Sequence, residues 1–583
     1  MKKLTLTAAV SAVLFAGAAS AATAPISETA AGLPILNQST TYEIYTSGAS
    51  APANFIDALF TVTTVPSANR LCDTTKKIYR FVSGTFSGST FTANSDQRAY
   101  YCVLNTGNAV TNAAQTGTKK YAMFYKRNRD GSAQGVNPLV VGTEGAAVEF
   151  MQTNVSTNTG CVKGAVNGNI VDINCPWVAG SATSSKSVIP DLGVSDVEPI
   201  LFQGSNTPSG FAAMTATDVA KLTVLPSATQ VFGIVVNTEL RNALQHTLYS
   251  PSNKCHPSNP LYVLDKLGNV TADKKLQVGE SAACMPSLSN TIINSIFTGK
   301  LVSWKQVYTA TKTATTGLVA GTSNLFDNVP DGHADKAASD RIHVCSRVNG
   351  SGTKASFAAL FLDTACATTG YEPATETGTL PESVLATQVH QMSTGGSVGE
   401  CLSELSNGTY NTSGQFVTTN LPSGISGSRW AIGIQGTENN SSISGTTGDY
   451  RFVKIDGFEP SLVNVANGKY KNWSELTFQY NNVHYANLGS TEKTLVDELV
   501  IQAANPTVMG FTNTAGATHS WGLSGFMAVP QAFTAGSTGA ILATKPVNPL
   551  THGSNSPALS PSTCRTPTLY DGGASGLRGL QIK

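Results

Sequence analysis

The residues best suited to chemistry in this 583-residue chain form one short run, Arg347-Val348-Asn349-Gly350-Ser351-Gly352-Thr353, ahead of a helix-like stretch from Lys354 to Leu362. Ser351 or Thr353 can cap that helix, while Gly350 and Gly352 let the backbone approach a ligand, so unpaired N–H groups would point at one spot. Such a spot attracts an anion. Arg347 adds a planar positive fork suited to a tetrahedral oxyanion. Taken alone, the run also reads as a capped core helix beside a surface arginine, because short glycine-rich motifs are common. Further stretches offer related chemistry: Ser47-Gly48-Ala49-Ser50-Ala51-Pro52, Gly131-Ser132-Ala133-Gln134-Gly135-Val136 and Gly193-Val194-Ser195-Asp196. In the last of these an acid stands at the carboxyl end of a strand-like segment, where α/β folds hold ligands, although an aspartate there can equally cap the next turn.

These groups need strands and helices to bring them together. Thr41 to Tyr45 alternates like a strand and runs into the first turn, after which Pro52 opens a helix over Ala53 to Phe60. Tyr121 to Lys126 is an apolar strand ending just before Gly131. Val188 to Val194 reads as a short strand interrupted by Pro190, and the β-branched, apolar run Gln230 to Val236 is strand-like. Leu288 to Phe297 has helical spacing, and Trp430 to Gln435 is strand-like. Between these lie strand-like pieces at Lys77 to Val82 and Arg98 to Leu104, and a segment from Thr153 to Ser185 that holds two cysteines.

Composition narrows the class. Charged residues make up 13% of the chain and the formal net charge is +1, so no basic surface for nucleic acid and no polybasic membrane anchor is expected. Lys2-Lys3, the apolar run from Leu4 to Ala16 and Ala19-Ser20-Ala21 before Ala22 have the pattern of a cleaved export signal over residues 1–21. No cysteine stands at the cleavage point and no later apolar run is long enough to span a bilayer, so a soluble, non-lipidated protein in the periplasm or outside the cell is expected. Its 10 cysteines then read as disulfides, with neighbours paired as Cys72–Cys102, Cys161–Cys175 and Cys255–Cys284, and Cys345, Cys366, Cys401 and Cys564 left unassigned. No metal site or cofactor is expected, since no C-x-x-C or close Cys/His pair occurs beyond the adjacent Cys255-His256. Asp327, Asp331 and Asp335 suit a solvated loop better than a calcium loop, because their spacing fits no EF-hand. The 8 histidines are scattered and no Ser/His/Asp arrangement is visible, so an enzyme is not expected.

Together, Arg347-x-x-Gly350-Ser351-Gly352-Thr353 and the other turns resemble the phosphate-specific substrate-binding proteins of ABC uptake systems. The resemblance continues through Ile296-Phe297-Thr298-Gly299-Lys300 with Trp304, and Ile455-Asp456-Gly457-Phe458-Glu459-Pro460, spanning about residues 45 to 475 with unusually long spacers. It implies a two-lobed α/β protein of the type 2 periplasmic-binding-protein fold, enlarged by long β- and loop-rich insertions. Lobe one would comprise 22–232 and 432–583, with insertions at about 61–120 and 153–185, and lobe two 233–431. The ligand would be inorganic phosphate or a related oxyanion, held by Ser50, Ala51, Ser132, Ser351, Gly352 and Thr353, with Arg347 supplying charge and Asp196 accepting the ligand's proton. Sulfate, which has no proton to donate at neutral pH, would be rejected. Two positions depart from the family pattern. Ala51 stands where the family has an aromatic residue, and Asn349 replaces an aspartate, which would leave Arg347 less firmly held. Partners would be an ABC permease or a cell-surface component. Two alternatives remain open: an extracellular interaction or structural protein that reuses the fold, and a phosphatase like some secreted relatives, the DING-type proteins.

Overall fold

The apolar runs near residues 41 and 121 pair as parallel strands, Thr41 opposite Tyr121 through Ser47 opposite Arg127. They lie inside a mixed sheet of 15 strands. The computed structural model describes residues 24–570 except 116, 260–278, 314–316, 368, 376–382, 410–426, 441–449, 531–544 and 554–559. The expected export signal lies outside the described residues.

One strand organises the sheet. Leu222–Asn237 is 16 residues long and, from Ser227 onward, buried throughout. Its first part, Leu222 to Val231, pairs antiparallel with Trp473–Asn481; its last part, Phe232 to Asn237, pairs with Ala431–Gly436 and Tyr450–Ile455. The register shifts between Pro226 and Ala228, where proline has no N–H to give the ladder. A run of Val and Ile buried on both faces suits such a central position. The strand therefore threads two lobes of an α/β fold, each with its own core. Beside Trp473–Asn481 lie Leu192–Ser195 and Thr41–Gly48, over a core that includes Phe55, Phe60, Phe124, Leu476, Leu499 and Phe526. The other core gathers Val236, Leu240, Ile293, Trp304, Trp430 and Ile432 around the second part.

Several expected elements are present: the helix Ala53–Thr61, the helix Gly352–Leu362 and the helix Asn290–Phe297, capped by Ser289; a strand with no counterpart in the sequence reading, His343–Arg347, leads into the second of these. The expected strand at Val188 to Val194 is two: Ser185–Val188 pairs with Val148–Met151, and Leu192–Ser195 joins the large sheet. Pro190 between them cannot donate to a ladder, so the chain changes sheets there. Ala431–Gly436 and Tyr450–Ile455 both flank the last part of the crossing strand. Phe526–Ala528 pairs with Ala228 to Gln230 and adds the C-terminal region to the first lobe.

The long spacers build outward from the first lobe. Ile78–Ser87 and Thr90–Val103 form a hairpin whose second strand continues the sheet beside Tyr121–Arg127. A second hairpin, Val162–Asn167 with Ile170–Pro176, adds to its far edge and is bridged by Cys161–Cys175. All ten cysteines are paired: the three expected neighbour bridges, Cys345–Cys401, and Cys366–Cys564 with a sequence separation of 198. Among the described residues no helix is long and apolar enough to cross a membrane.

Candidate functional site

Ends of elements from both lobes meet where the Arg347 run faces the crossing strand's first-lobe neighbours. Arg347 is the last residue of its strand, and its side chain is 3% exposed. Its Nε donates to the Met392 carbonyl at 3.2 Å, and Nη2 to the Ser393 carbonyl at 2.9 Å and to Ser50 Oγ at 3.3 Å. The guanidinium is thus fixed by two backbone carbonyls. Asn349 is engaged elsewhere, its Oδ1 accepting from Lys354 Nζ at 2.7 Å. Arg347 is held by the end of the neighbouring strand and not by residue 349.

Ser351, not Thr353, caps the helix, accepting from the Lys354 N–H at 3.4 Å. This frees the Thr353 hydroxyl, which donates to Asp196 Oδ2 at 3.1 Å across the lobe boundary. The Gly352 and Thr353 amides, in the helix's first turn, have no partner among the described residues. Ser132 Oγ accepts from the Asp196 N–H at 3.3 Å, and the Ala133 N–H donates to the Gly350 carbonyl at 2.9 Å, a direct backbone bond between lobes. Glycine is required at two points of this closure. A Cβ on Gly352 would lie 2.3 Å from Ser132 Oγ and 2.8 Å from Asp196 Cβ, and Gly131, at φ +79°, sits against the Gly350–Ser351 backbone.

Ser50, Ser132, Asp196, Arg347, Ser351, Gly352 and Thr353 are therefore brought to one place, with Ala51 buried beside them in the second-lobe core. Asp196 is 1% exposed and Oδ1 of its carboxylate has no hydrogen-bond partner. Arg347 and Asp196 sense each other's charge, yet make no ion pair within 4.0 Å. Burial pushes the Arg347 pKa down to about 10, with Asp196 acting the other way, so the guanidinium stays charged at neutral pH. Burial likewise raises the Asp196 pKa, opposed by Arg347 and by the bonds from Thr353 and Ser132.

Two further charged groups belong to this region and went unread in the sequence. Lys126 is buried at the end of its strand, and its ammonium donates to the carbonyls of Gly48, Ala49 and Arg127 and to Asn128 Oδ1, at 2.7–3.2 Å. It pins the first turn from below. Burial lowers its pKa, and Asp196 opposes that. A lone lysine closing an otherwise apolar strand was the available signal. Glu438, also buried, accepts from the Phe55 N–H at the start of the helix Ala53–Thr61, while its Oε2 lacks a partner. Burial raises its pKa well above the ordinary value. Only its position after the strand Ala431–Gly436 marks it, and no motif does.

No protein-family model matches the chain, and no curated protein sequence matches it. Solved structures similar to parts of it include a putative phosphate ABC transporter substrate-binding protein with bound phosphate from Clostridium perfringens. That alignment has 14% identity and a TM-score of 0.27, over 58% of this chain and 79% of the other. An ABC-type phosphate transport receptor from Vibrio cholerae aligns at 12% identity and TM-score 0.24, over 53% of this chain and 74% of its own. PstS from Borrelia burgdorferi aligns at 12% identity and TM-score 0.23, over 60% and 87%. Any assignment of a ligand therefore rests on the chemistry of the site itself.

Proposed function

We propose that this is an exported binding protein that holds phosphate, or a related tetrahedral oxyanion carrying a proton, between its two lobes. The observation that supports this reading most is the pair Arg347 and Asp196: two opposite charges, both buried, held apart, with one carboxylate oxygen left unpartnered. Burying charges without joining them is costly. A hydrogenphosphate between them would accept from the guanidinium, the Gly352 and Thr353 amides and the Ser50 hydroxyl, and would donate its proton to Asp196 Oδ1. Sulfate would bring an acceptor against that carboxylate and leave both unpaired.

In this reading Lys126 and the helix N-termini add positive potential, no step of catalysis is needed, and the natural partners are the anion and an ABC permease or a cell-surface component. The mature chain would act in the periplasm or outside the cell. The interaction-protein alternative has one observation in its favour. Val162–Asn167, the outermost strand of the large sheet, is almost wholly exposed, with Val162 and Val166 at 44% and 56%, and an open edge of this kind can pair with another chain. Isothermal titration of the mature protein with phosphate, arsenate and sulfate separates the two. Phosphate and arsenate should bind and sulfate should not; binding of none would leave the edge strand as the functional feature.

A further inference from the structure

A second cluster of ligating side chains lies in the other lobe, on residues far apart in sequence. His246 is in the last turn of the helix Thr238–Leu248, and His333 and Asp335 stand in the turn before the strand His343–Arg347. One donor atom from each lies within 4.8 Å of the others. Asp335 Oδ2 is 3.6 Å from His246 Nε2 and 3.6 Å from His333 Nδ1. These separations are too long for good hydrogen bonds. They match the edge of a tetrahedron whose centre lies about 2.0–2.2 Å from nitrogen and oxygen ligands, which puts the ligand atoms about 3.3–3.6 Å apart.

We propose that His246, His333 and Asp335 form a binding site for a zinc-like divalent transition metal. An independent observation points the same way: the His246 side chain is 10% exposed, and its Nε2, aimed at Asp335, is buried with no hydrogen-bond partner. The surrounding side chains orient the set. Asn242, one turn before His246 on the same helix face, donates to Asp335 Oδ1 at 2.9 Å and leaves Oδ2 facing the two imidazoles. The Trp430 indole donates to the Asp335 carbonyl at 2.8 Å, so the turn is anchored to the lobe's core. His256, beside the bridged Cys255, stacks edge-on to His246 with its Nε2 3.1 Å from His246 Nδ1. It stands where the outer acceptor of a metal-bound imidazole would stand.

Binding reorganises three bonds. The Ser258 N–H donates to His256 Nδ1 at 3.1 Å, which places the His256 proton on Nε2 and leaves the His246 proton on Nε2. Metal at His246 Nε2 requires each ring to move its proton to Nδ1, so that His246 donates to His256 and the Ser258 bond is given up. No proton is gained or lost in that exchange. The metal also replaces the 3.2 Å bond from the Asp335 N–H to His333 Nδ1. Two imidazoles and one carboxylate select zinc-class ions over calcium and magnesium, which take all-oxygen sets, and a water completes the fourth position. The bound ion would staple the end of the helix to the turn at 333–335.

The test is isothermal titration of untagged, EDTA-treated and dialysed mature protein with zinc chloride, calcium chloride and magnesium chloride in parallel. One zinc per chain should bind, with calcium and magnesium silent. Asn242→Ala should weaken zinc binding by about 10–100-fold, as loss of an outer partner does, and His333→Ala by more. His333 is one-third exposed, so that variant keeps its fold. Failure of the wild type to bind zinc, or zinc binding that both variants leave unchanged, would overturn the site.

Discussion

Replacing Cys366 and Cys564 together by serine should cost this protein more stability than removal of a short-range bridge, and should loosen the contact between its lobes. Cys366 follows the helix Gly352–Leu362, whose Ala355 and Ala359 pack on Ala133, Val136 and Leu139 of the first lobe. Cys564 follows Thr563, whose N–H and hydroxyl are held by the buried carboxylate of Glu198 at 2.7 and 2.6 Å. The bridge thus joins the end of the motif helix to a segment tied to the first lobe. Its sequence separation of 198 closes a loop whose lost chain entropy amounts to about 5 kcal/mol at 25 °C, against about 3 kcal/mol for Cys161–Cys175 with a separation of 14. Urea unfolding without reductant, followed for the wild type and both double-serine variants, should show the larger loss of midpoint for Cys366/Cys564. Release of bound phosphate, measured by stopped flow, should also quicken in that variant alone. Equal losses of stability in the two variants would refute the loop-closure argument, and unchanged release would refute the idea that this bridge restrains the lobes.

Arg347→Ala should weaken phosphate binding by about 2–5 kcal/mol while leaving the fold intact, because a buried charge partner is removed; unchanged affinity in the titration would take Arg347 out of the site. Asp196→Asn should narrow the gap between phosphate and sulfate, since an amide can donate to an unprotonated oxyanion, and equal selectivity in variant and wild type would mean that Asp196 only caps a turn. The same variant has a pH signature. Burial raises the Asp196 pKa, so its contribution to stability is complete below the unfolded value of about 3.9 and is lost as pH rises through the folded value. Ligand-free Asp196→Asn should therefore melt higher than wild type at pH 7, with the gain shrinking towards pH 4 in calorimetry. Gly352→Ala, whose new methyl meets Ser132 and Asp196, should cost about 1–3 kcal/mol in anion affinity, and full affinity would show that the lobes are not closed as described.

Much of the fold and part of the candidate site were legible in the sequence, where local physics decides. A cap at Ser351 or Thr353, the helix that follows it, the helix after Pro52 and the three neighbour disulfides follow from turn chemistry, side-chain periodicity and cysteine spacing, each within a few tens of residues. Other features depend on which elements become neighbours, and no single stretch of sequence carries that information. Arg347 is held by carbonyls from a strand paired beside its own, Lys126 finds its acceptors in a turn on another strand, and Glu438 reaches a helix nearly four hundred residues upstream. Cys366 could be matched to Cys564 only once the C-terminal segment had been laid against Glu198. His246, His333 and Asp335 look scattered along the chain for the same reason: a helix end and a distant turn meet only when the second core packs around Trp430. Sequence alone determined the short-range elements and the residue types able to do chemistry, because caps, turns and periodicity are local; tertiary structure decided which buried charges face each other and which remain unpaired, because burial and electrostatics depend on every neighbour at once.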